Sequence, residues 1–217
     1  PRGMLGGLIG PNGAGKTTLF NVICGLQATD SGHVRLGDDL LDSESPHQRA
    51  RLGIARTFQR LEVFGSMTVR DNIRVAAEVR RGWSRRRSGG GSPPDVSAEQ
   101  ILSRVGLTEV ADVRAEALPT GLARLVEVGR ALAAEPRILL LDEPSSGLDE
   151  GETETFGALL AELVGDGLAV LLVEHDVDLV MRVCAQIHVL DFGRVIAVGA
   201  PDEVQRDVNV QRAYLGS

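Results

Sequence analysis

Gly10-Pro11-Asn12-Gly13-Ala14-Gly15-Lys16-Thr17-Thr18 follows the apolar pair Leu8-Ile9 and precedes Leu19-Phe20-Asn21-Val22-Ile23. A strand that runs into a glycine-rich turn, with the turn opening a helix, aims backbone N–H groups and the positive end of the helix dipole at one anion. The glycines clear side chains from that approach. Lys16 adds a point charge for the outer phosphates of a nucleotide, and the Thr17 hydroxyl is the expected ligand of an accompanying magnesium ion. A merely solvated turn would leave the lysine and the two hydroxyls unexplained.

The downstream pattern supplies the rest of an α/β fold. The spacing predicts a helix from Lys16 to about Leu26 that stops near Gly25, a small antiparallel hairpin within Gly32–Leu41, and a short strand from Ile54 to Gln59. Thr68-Val69-Arg70-Asp71 has the form of a capping box, and Val69, Ile73, Ala76, Ala77 and Val79 give the following helix one apolar face. Arg80 to Asp95 holds five arginines, Trp83 and the run Ser88-Gly89-Gly90-Gly91-Ser92-Pro93-Pro94, which reads as a surface loop. Helical periodicity returns at Ser97–Val105 and Leu122–Ala134, separated by pauses at Gly106 and at Leu118-Pro119-Thr120-Gly121. Ile138-Leu139-Leu140-Leu141 lacks alternation, as expected of a strand buried on both faces of a parallel sheet, and it delivers Asp142 and Glu143 to the strand's carboxyl end. A helix over Thr153–Val164, a second buried strand over Leu168–Val173 ending in Glu174-His175-Asp176, a closing hairpin around Asp191–Arg194 and a helical tail from Pro201 complete the chain.

Composition narrows the function classes. The chain has 217 residues, 43% of them hydrophobic, and a formal net charge of -7. That balance is opposite to a nucleic-acid footprint, and no apolar run reaches the roughly 18 residues that span a bilayer. Cys24 and Cys184 stand singly in apolar segments, the usage of a reducing compartment. The chain opens at Pro1 with a strand pattern already in progress, so an upstream segment is expected.

Phosphoryl transfer to water needs charge neutralised on the phosphates and a water held in line. Lys16 and the loop amides answer the first need. Thr17 and Asp142 are placed to hold magnesium, Glu143 to polarise the attacking water, Gln59 to reach metal or water as a neutral ligand, and His175 to bond the terminal phosphate.

Together these residues resemble the ATP-binding subunits of ABC transporters over nearly the whole chain. Gly10–Thr18 matches the Walker A loop, Gln59 the glutamine loop, Leu139–Glu143 the Walker B strand with its catalytic glutamate, Ser145–Asp149 the D-loop, and His175 the switch histidine. Ala55–Phe64, Val173–Asp176 and the tail Arg212–Gly216 look like the branched-chain amino acid importer type, with urea and amide importers sharing much of the pattern. The resemblance implies an α/β P-loop NTPase fold: a RecA-type core sheet flanked by helices (residues 1–66 and 137–217), an inserted α-helical subdomain (67–136) and a small antiparallel hairpin. It implies an ATPase using ATP and Mg2+, with Gly10, Pro11, Asn12, Gly13, Ala14, Gly15, Lys16, Thr17, Thr18 and Gln59 at the nucleotide, Thr17, Gln59 and Asp142 at the metal, and Glu143 and His175 catalytic. Asp149 and the signature segment, through Leu118, Thr120 and Gly121, would serve a second ATP-binding subunit paired head to tail. Membrane permease subunits, a solute-binding protein reached through them, and a place at the cytoplasmic face of the membrane complete the expectation, with a groove behind Gln59 receiving the permease.

The family signature Leu-Ser-Gly-Gly-Gln is here Leu118-Pro119-Thr120-Gly121-Leu122, without the serine hydroxyl and the glutamine. Loss of one donor to a transition-state charge costs on the order of a hundredfold in rate, which points to an asymmetric pair with a different ATPase subunit. The upstream strand that carries the family's adenine-stacking aromatic is likewise expected before Pro1. Two rival readings stay open: a non-transport ABC ATPase, against which the lack of tandem cassettes and basic surfaces speaks, and a regulatory ATP binder, against which Glu143 and His175 speak.

Overall fold

A computed structural model describes residues 3–84 and 93–215. In chain order it contains β1 (Leu5–Ile9), α1 (Lys16–Cys24), β2 (Arg35–Leu36), β3 (Asp39–Leu40), α2 (Pro46–Leu52), β4 (Ile54–Arg56), α3 (Val69–Ser84), α4 (Pro94–Arg104), α5 (Thr120–Ala133), β5 (Ile138–Asp142), α6 (Glu150–Gly165), β6 (Ala169–Val173), α7 (Val177–Val183), β7 (Gln186–Asp191), β8 (Arg194–Gly199), α8 (Pro201–Arg206) and α9 (Val208–Leu215). Single 3-10 turns at Thr108–Val110 and Ala115–Ala117 lead into α5.

Among the described residues the main sheet runs β4-β5-β6-β1-β7-β8, parallel except for the final β7–β8 pair, while β2 and β3 form a separate antiparallel hairpin. The unalternating strands divide their side chains between two buried clusters, as period-2 geometry requires. Leu139 and Leu141 of β5, Val170 and Leu172 of β6, and Leu5 and Ile9 of β1 join the cluster that contains Phe156, Leu160 and Leu163 of α6 together with buried residues of α3, α4 and α5. Leu140, Val173 and Leu8 fall in the other cluster, with Phe20 of α1 and Leu41. Helices thus cover both sheet faces, the three-layer arrangement of an α/β core. Cys184 lies in the first cluster, and burial pushes its thiol up to about 12.

Most predicted elements fall where expected, and the exceptions have local causes. The stretch Arg80–Asp95 is not one loop: α3 continues through Ser84 and α4 begins at Pro94. Proline at the first helical position suits a helix start, because its missing N–H would be unpaired there anyway. Arg85, Arg86, Arg87 and the glycine run lie outside the described residues. Trp83 sits on α3 with the Arg51 guanidinium 5.9 Å from its ring centroid. The β4 strand is shorter than the apolar pattern, ending at Arg56, although the Thr57 amide still donates to Leu140 O at 3.0 Å. The helices α2 and α7 are too short for periodicity to announce them. Gly53 ends α2 in the left-handed conformation, and the Asp176 carboxylate accepts from the Leu179 amide to start α7. Of the capping box read before α3, one half forms: the Asp71 N–H donates to Thr68 Oγ1 at 3.1 Å, while the Asp71 carboxylate accepts from the Thr68 hydroxyl at 2.8 Å.

Candidate active site

Strand register brings the motifs to one edge. Leu8 pairs with Val173 and Val173 with Asp142, so β1, β6 and β5 end side by side at the carboxyl edge, where open parallel sheets place ligands. The loop that leaves β1 is shaped by close backbone approach. A Cβ on Gly10 would lie 2.0 Å from the Leu190 carbonyl oxygen. The Gly193 amide of the β7–β8 turn donates to Ala14 O at 2.9 Å and braces the loop from outside. Gly15, at φ 101°, caps α1 with no side chain bonded to the first amides, which leaves those donors to an anion. Thr17 and Thr18 are exposed in that first turn. Lys16 is folded back on its own loop, Nζ donating to Gly10 O at 2.6 Å and Pro11 O at 3.1 Å. Burial pushes its ammonium below the usual lysine range, and the carboxylates of Glu143 and Asp142 pull it back up.

The acids differ in setting. Asp142 closes β5 at 2% exposure and accepts from Arg56 Nη2 at 2.9 Å. Glu143 follows at φ 51°, a left-handed backbone that costs a non-glycine residue about 1–2 kcal/mol. Its amide donates to Val173 O at 2.9 Å, prolonging the β5–β6 ladder, and its Oε1 lies 2.7 Å from His175 Nε2. The His175 side chain is half exposed. Behind it, the buried Glu174 carboxylate accepts from the Ser145 amide at 2.8 Å and from the His175 amide at 3.2 Å. Burial pushes Glu174 above the ordinary carboxyl range, with the Ser145 bonds and the His175 amide opposing it. One carboxylate therefore ties the histidine turn to the segment Ser145–Asp149.

Gln59 is exposed, and its carbonyl carries its contact, accepting from Arg124 Nη2 of α5. Arg124 Nη1 also donates to Phe58 O at 2.7 Å, and Glu127, one turn further along α5, accepts from the Glu62 amide at 2.7 Å. Arg124 and Glu127 form a buried pair at 3.2 Å, where burial raises the Glu127 carboxyl. Asn72 of α3 secures the other end of this loop, accepting from the Phe64 amide at 2.9 Å and donating to Phe64 O. Sequence reading missed Arg124, Glu127, Asn72 and Arg56. For the three on helices, the available signal was a polar residue where the helix pattern calls for an apolar one; Arg56 ends the strand β4 and gave no such signal. Behind Gln59 lies a groove of about 330 Å³, with Arg49, Ala50, Phe58, Glu62, Glu127 and Arg130 among its lining residues.

Asp149, expected at the nucleotide, caps α6 within this chain: it accepts from the Glu152 amide at 2.8 Å, and Glu152 returns the bond to its amide at 2.9 Å. The helix expected from Leu122 starts at Thr120, after Pro119. Leu118 is half-buried and Thr120 exposed, whereas Gly121 is buried against the turn before α6. A Cβ there would lie 2.7 Å from Leu148 Cδ2 and 2.9 Å from Gly147 O. Gly121→Ala is therefore expected to destabilise the fold by about 1–3 kcal/mol, the usual cost of overpacking, in urea denaturation; an unchanged midpoint would mean that α5 shifts freely.

Residues 1–146 match the family described as ABC transporter. The chain belongs to that family. Its carboxyl-terminal residues 194–217 match a second family, the branched-chain amino acid ATP-binding cassette transporter. Among curated relatives, the high-affinity branched-chain amino acid transport ATP-binding protein LivG of Escherichia coli (strain K12) is 38% identical, covering 96% of this chain and 86% of LivG. The lipopolysaccharide export system ATP-binding protein LptB of Haemophilus influenzae is 34% identical, covering 97% and 85%. Among solved structures, a nucleotide-free ATP-binding cassette from an ABC transporter superposes with a TM-score of 0.87 at 29% identity over 100% of this chain and 90% of that one. A dimeric post-hydrolysis cassette, MJ0796 bound to ADP and Pi, superposes with a TM-score of 0.81 at 25% identity over 93% and 87%. The chain is thus an ABC ATPase with the P-loop NTPase cassette fold expected from its motifs. Among the described residues no helix is long and apolar enough to cross a membrane.

Proposed function

We propose that this chain is the ATP-hydrolysing subunit of an importer of branched-chain amino acids. The observation that carries the reading is the match of residues 194–217 to the branched-chain type, in the tail that the sequence had singled out. LivG supports it, and LptB at nearly the same identity supports a second reading, lipopolysaccharide export.

In this reading the amides of Gly10 to Thr18 and the Lys16 ammonium bind the phosphates of ATP. Thr17, Asp142 and Gln59 offer oxygen donors, the hard set that suits Mg2+, which takes few protein ligands beside phosphate oxygens and water. The described residues hold no cluster of three His, Cys, Asp or Glu that would make a free-standing metal cage, in keeping with a metal that arrives with the nucleotide. When bound, magnesium neutralises phosphate charge. Glu143 takes a proton from the attacking water, and His175, 2.7 Å from it, orients its carboxylate and faces the terminal phosphate. The open amino end of α5, with Leu118, Thr120 and Gly121, and the turn before Asp149 serve the nucleotide of a second ATP-binding subunit. We place that subunit in a heterodimer because of the altered signature. Permease subunits fill the groove behind Gln59, at the cytoplasmic face of the membrane, and a solute-binding protein delivers the solute to them.

The test is reconstitution in vesicles with the permease, second ATPase and solute-binding subunits that co-purify. Leucine, isoleucine or valine with the binding protein is expected to raise ATP turnover several-fold, and only the mixture of both ATPases is expected to turn over at full rate. Stimulation by lipopolysaccharide instead would favour export, and full turnover by this chain alone would end the heterodimer.

A further inference from the structure

Arg56 is a buried charge with no place in the phosphate chemistry above. It lies on β4 with a side chain 6% exposed, and each of its two terminal nitrogens donates to a side-chain oxygen. Nη2 donates to Asp142 Oδ2 at 2.9 Å, and Nη1 donates to Asn21 Oδ1, one helical turn beyond Thr17, at 2.6 Å. The guanidinium carbon is 5.3 Å from the Phe20 ring centroid and 5.0 Å from that of Phe58, so an aromatic ring from α1 and one from the glutamine loop fix its plane. Nε is buried without a hydrogen-bond partner. A group placed only to fill space would not leave a donor orphaned, and a hydrophobic side chain of similar volume usually fills such a position more favourably than a buried ion pair. The Asp142 carboxylate is itself almost fully buried, so without Arg56 its Oδ2 would lose the guanidinium that fixes the side chain's orientation.

We propose that Arg56 is a positioning residue for the metal-holding acid: by donating to Oδ2, it holds the Asp142 carboxylate in one orientation, in register with Thr17 through Asn21. The proposal rests on the reading that Asp142 serves magnesium. Partners of this kind that orient a metal ligand change metal affinity by about 10–100-fold when removed. Arg56 also lines the groove behind Gln59, so whatever fills that groove lies against the residue that holds the acid.

The experiment measures binding of a fluorescent ATP analogue to the full chain while Mg2+ is titrated, and again in EDTA, for wild type, Asp142→Asn, Arg56→Gln, Arg56→Lys and Asn21→Ala. Asp142→Asn is expected to abolish most of the tightening by Mg2+. Arg56→Gln is expected to raise the Mg2+ half-saturation about tenfold or more, with affinity in EDTA within about twofold of wild type, and Arg56→Lys, which keeps the charge but loses the fork, is expected to fall between them. If Asp142→Asn shifts the half-saturation and Arg56→Gln leaves or lowers it, the positioning role is wrong. Equal losses with and without Mg2+ would mark Arg56 as structural and also overturn it. If Asp142→Asn has no effect, the underlying reading of Asp142 fails and takes the proposal with it. Should Arg56→Gln not fold, Arg56→Lys and Asn21→Ala are judged on the same ratio.

Discussion

Glu143→Gln is expected to cut ATP turnover by about a hundredfold to ten-thousandfold, the range supplied by a positioned general base, while ATP affinity stays within about threefold. The substitution is close to isosteric. Gln retains an oxygen for His175 Nε2, now 2.7 Å from Oε1, and the backbone bond from residue 143 to Val173 O is untouched. What it loses is the basic carboxylate that accepts a proton from water, since an amide oxygen keeps its lone pairs but is too weak a base to take one. The left-handed backbone at Glu143 aims the side chain off the end of β5, and that geometry is set by the ladder rather than by the charge. Single-turnover hydrolysis, measured beside nucleotide binding, separates the two effects. Equal rates for wild type and variant would refute Glu143 as the base, and a parallel loss of binding would mean that the carboxylate organises the loop instead, through its pull on Lys16.

Gly10→Ala should be the most damaging single methyl in the loop, whereas Gly13→Ala should be nearly silent in packing. The Cβ at residue 10 would sit 2.0 Å from the Leu190 carbonyl oxygen, a backbone atom of the neighbouring strand that cannot swing aside. Relief requires β1 and β7 to part at the point where the loop begins, so a loss of about 3 kcal/mol or more is expected, at or beyond the upper end of ordinary overpacking, with loss of nucleotide binding. At Gly13 a Cβ meets nothing within 4 Å, and only the positive φ of 80° penalises it, by about 1–2 kcal/mol. Thermal denaturation and nucleotide titration of the two variants check the contrast. A Gly10→Ala protein that melts and binds like wild type would show that the loop is not wedged against β7.

Much of the site was legible because its chemistry is local. Gly10–Thr18 is a contiguous run, and the acids and His175 each terminate an apolar strand pattern, so their convergence follows from the rule that parallel strands carry function at their carboxyl ends. Helices with one long apolar face, such as α3, were legible for the same reason. The arginine-rich stretch was misread over Arg80–Ser84 because charged residues are good helix formers, and α3 simply continues through them. Asp149, expected to serve the nucleotide of a second subunit, also caps α6 within its own chain, its carboxylate accepting from the Glu152 amide, a local bond available to any Asp three residues before a free N–H.

The sequence by itself determined the glycine-rich loop between β1 and α1, the pair of acids at the end of β5, the histidine after β6 and the alternation of buried strands with helices, since each depends on residues adjacent in the chain. The tertiary structure alone decided what those residues lean on. Arg56 reaches Asp142 across 86 positions of sequence and Asn21 across 35. Arg124 holds the carbonyl of Gln59 in the loop after β4 from 65 positions away, and Leu190 walls in Gly10. Such partners are chosen by where strands and helices meet in space, and a buried charge or an unsubstituted Cα shows its reason only when the atom opposite it is known.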